Sequence, residues 1–288
     1  MDQKWTDIIN TIVDEEQQVR DMRVKLKSMR EHGAKIKPDS KDVFRAFELT
    51  PYDNIQVVII GQDPYPDPDH PHGLAFSSRA KVTPDSLRNI FKEIHEDCYP
   101  GEDPNDLFRS NDLSAWAEQG VLLLNAILTV EAYKSGSHRD IGWLTFTERI
   151  MKKLNDHPNR LVFMLWGQFA KAYASSINQD KHLVLQAAHP SPLSAAKGYF
   201  GCRHFSQANE FIFKNHFKEF IDKKDDFYHS HSMTEYITVI AKRAGIELND
   251  KEQLKDILDK MYLTIPKVIA TMDENKHLLK LTGINWRT

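Results

Sequence analysis

Cysteine is scarce in this chain. Cys98 and Cys202 are the only two in 288 residues, so a disulfide framework is not expected and a reducing compartment is. No Cys/His cluster has metal-ligand spacing, and no metal or cofactor is expected. No apolar run approaches the roughly 20 residues that cross a bilayer, so no membrane contact is expected. The opening Met1-Asp2-Gln3-Lys4-Trp5 lacks the basic-then-apolar order of a secretion signal, and its acidic content argues against a transit peptide. The expected compartment is the cytoplasm, with the nucleus left open. Positive charge is not in excess either: the formal net charge is −3. Bulk charge therefore cannot hold a nucleic acid, and any such contact must come from a local patch or from neutral donors. Internal repeats and low-complexity tracts are also missing.

What remains is ordinary soluble composition, 41% apolar and 27% charged, in a chain long enough for one large domain or two smaller ones. Trp5, Ile8, Ile9, Ile12, Val19, Met22, Leu26 and Met29 recur at helical spacing, which predicts one or two amphipathic helices over 5–31. Four apolar runs read as interior strands: Val57 to Ile60, Val121 to Leu124, Leu161 to Trp166, and His182 to Gln186. Helical patterns lie between them, as at 144–154 and 170–177. Strands alternating with helices predict an α/β fold, three layers α/β/α around a mostly parallel four-stranded sheet. Near Asp222 a charged stretch suggests a hinge, and Ser232 to Glu235 reads as a capping box. The domains are expected at 1–224, with the N-terminal helices 1–35 included, and at 225–288, a small C-terminal helical extension.

Each strand ends in unusual polar residues, and in open α/β sheets that edge is where ligand crevices form. After the first strand comes Gly61-Gln62-Asp63-Pro64-Tyr65-Pro66, whose prolines present Asp63 and Tyr65 rigidly. Taken alone, Asp63 reads better as a solvated turn aspartate than as a catalytic group, and its companions reverse that preference. His189-Pro190-Ser191-Pro192-Leu193-Ser194 follows the fourth strand. A lone histidine there is commonly structural, and Leu193 is either an ordinary turn residue or a wedge that fills the space of an extruded base. Asn125 either caps a turn or offers an amide donor beside an acceptor, a pattern that matches uracil O4 and N3–H and not cytosine. Phe76, in Gly73-Leu74-Ala75-Phe76-Ser77, is a core residue or a platform for a planar base.

In this order and spacing, these stretches resemble the family 1 uracil-DNA glycosylases. The likeness spans roughly 38–210 and includes Val43 to Phe47, Trp116 to Val130, His138, Gly142-Trp143, Leu165-Trp166-Gly167 and Gly201 to Phe205. The resemblance implies a monofunctional glycosylase that flips uracil out of DNA and hydrolyses its N-glycosidic bond. It implies that Asp63 stabilises the cationic sugar and orients water, and that neutral His189 donates to uracil O2. By the same likeness Asn125 reads the base edge, Phe76 stacks on the ring, Tyr65 blocks thymine's methyl, and Gln62 holds the base from beneath. Leu193 is then the intercalating wedge, and Ser86, Ser191 and Ser194 grip phosphates. The implied partners are uracil-containing single- or double-stranded DNA and a DNA-mimicking inhibitor protein, with the chain acting as a monomer.

The chain departs from the family pattern at four places. Pro66 stands where many members have histidine, Asp85 interrupts a Pro-Pro-Ser stretch, and Gln168 replaces the usual serine among the DNA contacts while keeping a donor. The region 225–288 is extra, and its two readings are helices packed on one another or on the core, or a docking module for a replication or repair partner. The alternative function on the same fold is a non-catalytic DNA-binding scaffold or replication-complex subunit, which has no need of Asp63, Asn125, Tyr65 and His189 together. A thymine- or mismatch-directed glycosylase is disfavoured by Tyr65, which closes the space at C5.

Overall fold

The computed structural model describes residues 1–222 and 283–288, which divide into two compact units, 1–205 with 286–288, and 206–285. The N-terminal apolar periodicity becomes two helices, Gln3–Glu15 and Gln17–Glu31, separated at Glu16, whose backbone is extended. Asp2 caps the first by accepting the Trp5 N–H at 2.8 Å. Trp5 is fully buried against Phe47 and Tyr52, edge-to-face with ring centroids 4.7 and 5.0 Å away.

The strands are β1 (Ile36–Lys37), β2 (Val57–Gly61), β3 (Val121–Asn125), β4 (Val130–Glu131), β5 (Val162–Trp166) and β6 (Leu183–Ala187). Four of them form one sheet in the order β3-β2-β5-β6, with every neighbouring pair parallel. All five residues of β2, β3 and β5 are buried, and since successive side chains point to opposite faces, both faces are covered. That is the expected three-layer α/β/α arrangement. The edge strand β6 is only partly buried. The pair β1–β4 is antiparallel, and its two-residue strands are too short to leave a periodic signal. The helical pattern at 170–177 resolves into a short α-helix, Gly167–Lys171, continued by the 3-10 turn Ala172–Ser176.

Register aligns the strand ends. Gly61 lies opposite Asn125, and Trp166 opposite Ala187, so the loops after β2, β3, β5 and β6 leave from one edge.

The expected helical extension falls, for 225–282, outside the described residues, as does the expected capping box. The described part of the helix His204–Asp222 reaches into the charged stretch expected as a hinge. Residues 286–288 have no regular secondary structure and belong to the larger unit. Trp286 is fully buried, edge-to-face with Trp116 (5.3 Å) and Phe205 (5.0 Å). Thr288 donates its N–H to Leu107 O (2.9 Å) and accepts from the Arg109 N–H (3.2 Å), while Trp116 Nε1 donates to Arg287 O (3.2 Å). In the second unit Asn209 brackets Ile284, accepting its N–H at 2.9 Å and donating to its carbonyl at 3.1 Å. Residues 286–288 are thus part of the core-bearing unit, because an apolar indole and the main-chain pairing give them more burial than a free tail has.

Candidate active site

The loop after β2 begins with main-chain bonds to the loop after β3: the Ala126 N–H donates to Gly61 O and the Ile127 N–H to Gln62 O, both at 2.9 Å. A side chain at Gly61 would place its Cβ 2.3 Å from Asn125 Oδ1, so glycine is what lets the nearly buried Asn125 amide lie across the strand end. Two residues on, Asp63 Oδ2 accepts the Gly136 N–H at 2.7 Å and the Ser135 hydroxyl at 3.0 Å. The carboxylate is aimed by neutral donors, not by a cation.

The Tyr65 hydroxyl donates to Phe76 O at 3.1 Å. Burial raises its pKa well above the usual phenol range, so it stays a neutral, apolar wall. Phe76 has a left-handed backbone, φ 63, which swings its ring toward His189 (centroids 5.8 Å) and Trp166 (5.5 Å).

His189 is reached by the loop after β6. Gly167, at φ +84, makes room for it: a Cβ there would approach His189 Cβ to 2.9 Å. Burial lowers the His189 pKa, which keeps the imidazole neutral at pH 7. The Ser191 N–H donates to Nδ1 at 3.1 Å, so the ring proton of the neutral form sits on Nε2. Ser194 donates its hydroxyl to His189 O at 2.8 Å and lies 3.0 Å from the Ser191 hydroxyl, while Asn89 Nδ2 anchors Pro190 O at 2.7 Å. Leu193 stands 84% exposed at the tip.

Gln62, Asp63, Tyr65, Phe76, Ser86, Asn125 and His189 line one cavity of about 230 Å³. Gln168, Ser191, Leu193 and Ser194 do not line it; Gln168 is exposed at the start of its short helix, and the two serines brace the loop holding His189. A larger groove of about 620 Å³ runs along Gln17–Glu31 past Asp21, Lys25 and His32. It is open, and it holds none of the residues singled out by their sequence motifs, so the smaller cavity is the candidate site. Among the described residues no group of His, Cys, Asp and Glu could hold a metal ion.

Ser135, Gly136 and Asn89 were not legible as site residues. Ser135 and Gly136 reach Asp63 across more than seventy residues of chain, and only the small-residue run Ser135-Gly136-Ser137 hints at a tight turn.

Comparison with known proteins bears on the family and the fold. The model of the uracil DNA glycosylase superfamily matches residues 47–213. A Coxiella burnetii (strain RSA 493 / Nine Mile phase I) protein named uracil-DNA glycosylase is 53% identical over 188 residues, 65% of this chain and 80% of its own length. A Yersinia pseudotuberculosis (serotype O:3, strain YPIII) protein of the same name is 47% identical over 209 residues, 72% of this chain and 90% of its own. The crystal structure of a tyrosine-to-phenylalanine variant of mimivirus UNG in complex with UGI superposes with a TM-score of 0.69 at 26% identity, covering 74% of this chain and 85% of that one. With the family model spanning more than half its length and its strand-end residues gathered in one cavity, the chain belongs to the uracil-DNA glycosylase superfamily.

Proposed function

We propose that this protein is a monofunctional uracil-DNA glycosylase, which extrudes uracil from DNA, hydrolyses its N-glycosidic bond and leaves an abasic site. The observation that carries the reading is the pairing of Asp63, held through Oδ2, with a neutral His189 whose proton sits on Nε2, in one cavity with Asn125. As the C1′–N1 bond breaks, its electron pair goes to the base and positive charge grows on the sugar. Asp63 stabilises that charge electrostatically and orients water through its other oxygen. The water oxygen then bonds to C1′ and its proton passes to the carboxylate. His189 Nε2–H donates to uracil O2 as the base becomes an anion, which later takes a proton from solvent. Groups already in place cost no reorganisation at the moment of reaction.

Asn125 selects uracil by its amide pair, with Gln62 beneath the base. Tyr65 closes the wall at C5, and Phe76 stacks on the ring. Leu193, exposed and on a braced loop, fills the gap left by the extruded base. Ser86, Ser191, Ser194 and Gln168 contact phosphates as neutral donors, which suits a chain with a net charge of −3. The Ser191 and Ser194 hydroxyls give that contact alongside their bracing of His189.

The scaffold alternative is less well supported. The relatives at about half identity carry an enzyme's name, and a scaffold needs no aimed carboxylate. Since UGI binds a mimivirus relative, a DNA-mimicking inhibitor protein is expected to compete with DNA here too. We take the acting species to be a monomer in the cytoplasm. The test is incubation with uracil- and thymine-containing oligonucleotides in EDTA, then alkaline cleavage of abasic sites. Cleavage of the uracil strand alone is expected, and an intact uracil strand would favour the scaffold.

A further inference from the structure

The loop that brings Ser135 and Gly136 to Asp63 also carries Tyr133, to which no role has been given. Tyr133 is 74% exposed and is the one aromatic among the large apolar side chains exposed in the described residues. Its backbone is left-handed, φ 66, a conformation disfavoured for a bulky L-residue and free of strain for glycine. The Tyr133 N–H donates to Pro66 O at 2.7 Å, and the next residue's N–H, from Lys134, donates to Glu131 O at 3.0 Å, so the position is held rigidly. Packing does not call for an aromatic there, since most of the ring is in solvent. Pro66 and Ser135, on either side of this attachment, both line the uracil cavity. Tyr133 therefore stands on one loop bordering the cavity, as Leu193 stands on the loop of His189.

We propose that Tyr133 is a stacking platform for a nucleobase flanking the extruded uracil. The proposal rests on the uracil-excising reading of the same cavity. When a nucleotide leaves the stack, its neighbour loses a stacking partner and presents a bare face. An exposed, rigidly placed aromatic ring takes such a face whatever the base, because every base has one. Stacking is also a contact that does not depend on positive charge, which this chain does not have in excess. Tyr133 would then bind the strand beside the lesion and leave the chemistry at Asp63 untouched.

The experiment uses the full chain and oligonucleotides with a single uracil. Three substrates are compared: normal bases on both sides, a base-free tetrahydrofuran unit 5′ of the uracil, and the same unit 3′ of it. Tyr133→Ala should raise KM roughly tenfold on the normal substrate, with kcat within twofold, as loss of one base–aromatic stack implies. On the substrate lacking the stacked base, wild type and Tyr133→Ala should have equal KM. Tyr133→Phe should behave as wild type. Tyr133→Gly relieves the left-handed backbone, so it should be at least as stable as wild type and bind as weakly as Tyr133→Ala. The proposal is overturned if both truncations keep KM within twofold, if the rise persists on both base-free substrates, or if kcat falls instead. Failure of wild type to release uracil from any substrate would overturn the glycosylase reading instead.

Discussion

Replacing Trp286 with alanine should be among the most damaging single changes to this protein, although it lies at the far end of the chain from the site. The side chain is fully buried between Trp116 and Phe205, and its backbone N–H reaches the Tyr99 hydroxyl at 3.3 Å. Burying and then deleting an aromatic of this size costs about 3–5 kcal/mol, the spread reflecting how far the cavity collapses. For a unit of some 200 residues, each kcal/mol moves the melting midpoint by about 2–4 °C, so Trp286→Ala should lower Tm by roughly 6–20 °C. Arg287→Ala is the control. Its ion pair with Glu102 at 2.8 Å is about half exposed, and a surface pair contributes about 0–1 kcal/mol. A chain ending at Asp225 loses the same indole and should be destabilised at least as much. Urea and thermal unfolding followed by far-UV circular dichroism measure all three. If Trp286→Ala stayed within 1 kcal/mol of wild type, the C-terminal residues would not be part of the core and the packing given for them would be wrong.

The Ser135 hydroxyl is one of two donors on Asp63 Oδ2. Hydrogen bonds to charged groups contribute about 1.5–3 kcal/mol, so Ser135→Ala should slow single-turnover excision about ten- to a hundredfold without weakening DNA binding; an unchanged rate refutes the role. Asn125→Asp should admit cytosine and Tyr65→Ala thymine, both slowly, because acceptance does not restore alignment; if neither folded variant releases a normal base, the pocket assignment fails. Burial lowers the pKa of His72 and of His204 to about 4 from an ordinary 6.5. The unfolded chain therefore binds more protons below pH 6.5, and stability fully present above that pH is lost as it falls toward 4. At pH 5 each should cost about 2 kcal/mol, so urea midpoints at pH 7.5 and pH 5 should differ clearly, and equal midpoints would contradict the buried, neutral state of both rings.

The sheet was legible because each of its strands is a short apolar run ended by polar or glycine punctuation. The same punctuation carries Asp63, Asn125 and His189 to one edge, since parallel strands must end together. What could not be read are contacts made by main-chain geometry between distant segments. The Gly136 N–H on Asp63, the Cβ-free spaces at Gly61 and Gly167, and the return of Trp286 to the core leave no periodic trace. Trp286 lies beyond a long helical-looking stretch, so proximity in sequence placed it with an extension while burial of its indole placed it in the core. Resemblance gives the two serines after His189 as phosphate contacts; their bracing of the histidine depends on a loop geometry that leaves no mark in the sequence.

The most direct test of the catalytic assignment is single-turnover uracil release by Asp63→Asn, with affinity for uracil-containing DNA measured alongside. The amide can keep Oδ2-type hydrogen bonds from Ser135 and Gly136 while removing the negative charge, so folding and binding should persist. Loss of one preorganised electrostatic group predicts a rate about a hundred- to a thousandfold lower. A near wild-type rate with intact binding would show that the charge on Asp63 is not what stabilises the departing sugar.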